Sequence, residues 1–97
     1  MKLPKIWNIF GLKIKLKIAH FETNIAGQYE PSKKLITLNA QHETDQELMH
    51  TLLHELGHAM FYRVSINQAV SYETHEYIVN NYATMLLENF EIKPKAK

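Results

Sequence analysis

From Leu12 to Ile18 the chain alternates without a break: Leu12, Ile14, Leu16 and Ile18 are apolar, and Lys13, Lys15 and Lys17 stand between them. A period of two sends successive side chains to opposite faces of a strand. The segment therefore predicts a strand with one buried face and one lysine-studded face in water. Two shorter strands are expected at Ile25 to Glu30 and Leu35 to Asn39. Between them Pro31-Ser32-Lys33-Lys34 has turn chemistry, with Pro31 suited to the second turn position. Ile6 to Phe10 supplies a fourth strand, and the first half of the chain reads as a small antiparallel sheet of three or four strands.

The pattern then changes period. Thr44-Asp45-Gln46-Glu47 is a capping box, in which the Thr44 hydroxyl and the Glu47 carboxylate satisfy backbone N–H groups at a helix start. Leu48, Leu52, Leu56, Ala59 and Met60 recur at helical spacing and predict a helix from about Asp45 to Tyr62. After a connection over Ser65 to Val70, Ser71 caps a second helix running from Tyr72 to about Phe90. Its apolar positions are Tyr72, Val79, Tyr82, Ala83, Leu86 and Phe90. The expected organisation is α+β, one domain over residues 1–92 followed by a disordered basic tail over residues 93–97.

Composition narrows the chemistry. With 97 residues there is one core and little left for a second lobe. Cysteine is absent, so a metal site must be built from His, Asp or Glu. The net charge of +1 gives no global attraction to nucleic acid or an anionic membrane. No aromatic residues interleave with the lysines as a nucleic-acid stripe would need. The apolar stretches are too short to span a bilayer, and the N-terminus lacks the apolar run of a secretory signal. A cytoplasmic protein is expected, with neither nucleic-acid nor membrane partners.

The candidate chemistry lies in His54-Glu55-Leu56-Gly57-His58, an H-E-x-x-H run inside the first helix. Residues four apart share a helix face, so His54 and His58 can reach one Zn²⁺. Glu55 projects beside that face and can take a proton from water, the arrangement of zinc-dependent peptidases. A catalytic zinc needs a third protein ligand. Glu76 and Asn80 stand four apart on the second helix, so an antiparallel return would bring Glu76 beside both histidines and leave Asn80 one turn behind it. His75 is the competing ligand and sits about 100° round that helix. Gly57 is expected to allow a close approach by the sheet or the second helix.

Glu76-Tyr77-Ile78-Val79-Asn80-Asn81-Tyr82-Ala83, followed by Leu86-Leu87, resembles the glutamate helix of gluzincin peptidases. The likeness is greatest to ImmA/IrrE-type metallopeptidases of phages and mobile elements and to the minigluzincins. Gly27-Gln28-Tyr29-Glu30 and Leu35-Ile36-Thr37-Leu38-Asn39 are also similar to the strands that precede the H-E-x-x-H helix there. Val79 departs from the alanine common in that pattern. The resemblance covers roughly Gly27 to Phe90. It implies a minimal zincin-like fold, zinc on His54, His58 and Glu76, Glu55 as general base and Asn80 as support behind a ligand. It also implies a peptide or protein substrate and, for a phage-encoded chain, a host-cytoplasm setting.

Other residues have plainer readings. Tyr72, near the site end of the second helix, is a candidate oxyanion donor, whereas Tyr62, Tyr77 and Tyr82 read as core or rim aromatics. His50 continues the row of His54 and His58 but is too far from His58 to share its metal, and reads as surface or as a substrate contact. His20, His42 and Glu43 read as surface. Replacing His75 by Ala is expected to leave zinc affinity nearly untouched. An extended substrate is expected to pair along Leu35 to Asn39. The alternative to a peptidase is a zinc-binding regulatory or interaction module without turnover.

Overall fold

A computed structural model describes residues 3–20, 24–41, 44–63 and 71–93. The first hairpin joins β1 (Ile6–Ile9) to β2 (Leu12–Ala19). Phe10 and Gly11 take φ of 49° and 85° between them. Positive φ at both central residues belongs to the tight hairpin turn whose twist matches its strands. Phe10 therefore leaves the strand that was expected to include it. Within β2 the alternation holds at the centre, where Ile14 and Leu16 are buried and Lys13, Lys15 and Lys17 are exposed, but Ile18, expected on the buried face, is exposed.

Next come β3 (Gly27–Glu30) and β4 (Leu35–Asn39), joined by the turn at residues 31–34. They pair antiparallel, with Tyr29 opposite Ile36. The sheet is not wholly antiparallel, however. Its order is β1-β2-β4-β3, and β2 runs parallel to β4, with Leu16 opposite Ile36 and Ile18 opposite Leu38. The chain passes the place that β4 later fills, runs back as β3 on the outside, and returns between β2 and β3. Alternation of apolar and polar residues is the same for parallel and antiparallel neighbours, so the strand pattern carries no signal for this crossover. One consequence concerns substrate: β4 is hydrogen-bonded on both sides, and among the described residues the edge strand on that flank is β3.

The two helices are α1 (Asp45–Arg63) and α2 (Tyr72–Asn89). At the start of α1, Thr44 Oγ1 accepts from the Glu47 N–H at 3.1 Å, and Thr44 donates its backbone N–H to Glu47 Oε1 at 3.4 Å. Ser71 Oγ caps α2 by accepting from the Thr74 N–H at 3.2 Å. The core joins Ile14, Leu16, Ile36 and Leu38 of the sheet to Met49, Leu52 and Ala59 of α1. Gly27 lets α1 approach, since a Cβ there would stand 2.7 Å from Thr51 Cγ2.

α1 is covered on two sides, by the sheet and by α2, so its buried residues are Met49, Leu52, Glu55, His58, Ala59 and Phe61. Leu48, Leu56 and Met60 are only half-buried. α2 presents His75, Val79 and Ala83 to α1, with Leu86 half-buried. Tyr72, Tyr82 and Phe90, expected on the packed face, are exposed. Tyr72 is the first residue of α2 and Phe90 its C-cap in extended backbone, so both lie beyond the stretch from His75 to Ala83 that packs on α1. The connection at 65–70, His42, Glu43 and the tail beyond Lys93 lie outside the described residues. Among the described residues, no helix is long and apolar enough to cross a membrane.

Candidate metal centre

α1 and α2 run antiparallel, because His50, His54 and His58 meet Thr84, Glu76 and His75 in turn. That return brings three ligand-type side chains to one point. His54 Nε2 and His58 Nε2 are 3.1 Å apart. Glu76 Oε1 lies 2.5 Å from His58 Nε2, and Glu76 Oε2 lies 3.2 Å from His54 Nε2. In a tetrahedral shell at about 2.0–2.1 Å, neighbouring ligand atoms stand roughly 3.3 Å apart. Two of the three separations already match that spacing. The third is shorter and would open to it by a small swing of the partly exposed Glu76 side chain. The donor set, two imidazoles and a carboxylate, is one that could hold a divalent metal ion.

Glu55 is buried, and its carboxylate lies within 4.8 Å of the histidine ligand atoms. It also accepts a hydrogen bond from the backbone N–H of Tyr29 on β3. Burial raises its pKa, as does Glu76 nearby, while His54 and the Tyr29 N–H pull it down; the net shift is upward. Burial lowers the pKa of His58 against the opposing pull of Glu76, so the ring favours its neutral, ligand-competent form. For Glu76, burial pushes upward but His54 and His58 together outweigh it, and the carboxyl is held below its ordinary range.

His75 is placed differently from the ligand role considered for it. Its ring is buried and stacked on His58 with centroids 4.4 Å apart, and the two Nδ1 atoms are 2.5 Å apart. It therefore meets the side of His58 remote from Glu76 and is not in the ligand set. The only sequence signal was its spacing: His75, Val79 and Ala83 recur every four residues, which marks His75 as a packed position.

Tyr72 is exposed, with its ring parallel to that of His58 at a centroid distance of 6.3 Å. Glu76 raises the pKa of the phenol by its charge and by a hydrogen bond, which keeps the proton on it. Asn80 is exposed on the rim, and among the described residues none of the hydrogen bonds to His54, His58 or Glu76 comes from it. His50 is half-buried and bonded to Thr84 Oγ1 at 3.0 Å. All these groups line a cleft of about 700 Å³, whose opposite wall is β3 and the residues before it, Ile25 to Tyr29. His20 is exposed and stands apart from it.

Comparison with known protein families, with curated proteins and with solved structures gives no match.

Proposed function

We propose that this chain is a zinc-dependent peptidase whose metal is held by His54, His58 and Glu76. The observation that carries the reading is the meeting of both Nε2 atoms and the Glu76 carboxylate beside a buried Glu55. Two imidazoles and one carboxylate are a ligand set of catalytic zinc, which leaves a position for water. Bound zinc supplies Lewis acidity toward water and toward a carbonyl oxygen.

The chain's own groups do the rest. Glu55, made more basic by its burial, takes the proton from the attacking water and returns it to the leaving amine. Tyr72 keeps its phenolic proton and stands on the cleft wall, from which it can donate to the oxygen where negative charge develops. An extended peptide would pair with the free edge of β3, the strand that borders the cleft, in place of the interior strand β4.

The test is Glu55→Gln. Gln keeps the shape of Glu but cannot accept the proton, so zinc content should hold while peptide cleavage falls by about 10²–10⁴-fold. Equal turnover by the variant and the parent would sink the assignment. A parent that holds zinc but cleaves nothing in a broad peptide library would instead be a metal-binding regulatory module.

A further inference from the structure

A histidine that gives Nε2 to a metal must carry its proton on Nδ1, and that N–H needs an acceptor to fix the ring. For His58 the group at that place is the imidazole of His75, with the two Nδ1 atoms 2.5 Å apart. We propose that His75 is the positioning residue of the metal site: its Nδ1 accepts the Nδ1–H of His58 and so fixes the tautomer and plane of that ligand. The inference rests on the metal-binding half of the reading above and is independent of whether peptides are cleaved.

Three further observations bear on it. The His75 ring is itself fixed, buried at 4 % exposure between His58 and the edge of Phe61, whose centroid is 4.3 Å away. An acceptor that cannot turn is what a rigid ligand requires. Next, with Nδ1 accepting, the proton of neutral His75 sits on Nε2, and among the described residues that atom is buried without a hydrogen-bond partner. A histidine serving only to fill space would leave that polar nitrogen buried for nothing, where a leucine would not. Finally, the usual partners of a ligand histidine are carboxylates and carbonyls. A neutral imidazole gives the same orientation without adding negative charge beside Glu55 and Glu76.

The test compares zinc affinity in the parent, His75→Asn and His75→Leu by competition with a chromophoric chelator, with circular dichroism as the check on folding. Asn places Oδ1 close to the Nδ1 position and remains an acceptor; Leu keeps bulk and loses the acceptor. Affinity should change little in His75→Asn and fall by about 10–100-fold in His75→Leu. Should His75→Leu fail to fold, His75→Ala replaces it as the variant without an acceptor, and a loss in His75→Asn as large as that of His54→Ala overturns the idea. Equal affinity in all three proteins, or equal loss in both variants, overturns it while leaving the metal site standing. A parent that takes up no zinc removes the metal site and this role together.

Discussion

The Cβ that Gly57 lacks would stand 2.7 Å from Cγ1 of Val79 and 3.0 Å from its Cβ. Gly57 is one of the two residues between Glu55 and His58, and Val79 is three residues past Glu76. The spacing of α1 and α2 beside His54, His58 and Glu76 is thus set by a glycine meeting a β-branched side chain.

Gly57→Ala should therefore destabilise the protein, although alanine in an ordinary helix interior would gain about 1 kcal/mol. Overpacking of this kind costs about 1–3 kcal/mol, and Val79 has little rotamer freedom with which to yield. Adding Val79→Ala should recover much of the loss by removing the clashing methyls. Urea denaturation of the single and double variants checks this; a Gly57→Ala protein more stable than the parent would contradict it.

One zinc per chain is expected, and none in the His54→Ala, His58→Ala double variant. A single carboxylate is too few ligands for tight binding. Elemental analysis after dialysis measures it directly, and full occupancy of the double variant would remove the site from these residues.

Glu76→Ala should weaken zinc far more than Asn80→Ala. Glu76 touches both histidines, whereas Asn80 is an exposed rim residue. Chelator competition on the two variants orders them, and the reverse order would place the third ligand elsewhere.

Metal-free protein should lose stability on acidification. Burial holds the pKa of both His58 and His75 below the ordinary 6.5. A depressed folded-state value gives stability that is complete above the unfolded value and is lost as pH falls through the folded one. Glu76 has the same sign at lower pH, while Glu55, raised from 4.5, opposes it. The melting temperature should thus fall between about pH 7.5 and about pH 5.5. A midpoint that rises over that interval would mean that the two rings are not held neutral by the fold.

Much of this arrangement is written locally. Lys13, Lys15 and Lys17 mark the solvent face of β2, and Thr44, Glu47 and Ser71 mark the helix starts, because caps and strand alternation act through neighbours in sequence. His54, Glu55 and Glu76 could be brought together on paper for a similar reason: helical periodicity fixes which residues share a face. The parallel pairing of β2 with β4 could not be read, since register between distant strands leaves no mark on either one. Nor could the exposure of Tyr72 and Tyr82. A tyrosine satisfies both an apolar stripe and a wet surface, and only the tertiary packing of the helix decides between them. His75 was legible as a residue near His58 in the expected helix pair but not as the partner of its ring, because the rotation of one helix against another is set by tertiary packing.

The strand order also sets how the molecule is assembled. β3 and β4 close across four turn residues, 31–34, and such a hairpin forms within about 1–10 μs. β4 can reach β2 only after the chain from 20 to 34 has looped round, and non-local parallel pairing is the slower event. The hairpin should therefore form first and dock as a unit. That single docking step both completes the core around Ile36 and Leu38 and delivers Tyr29 to Glu55. Refolding should accordingly show the core and the β3 wall of the cleft appearing together, with no interval in which one exists without the other.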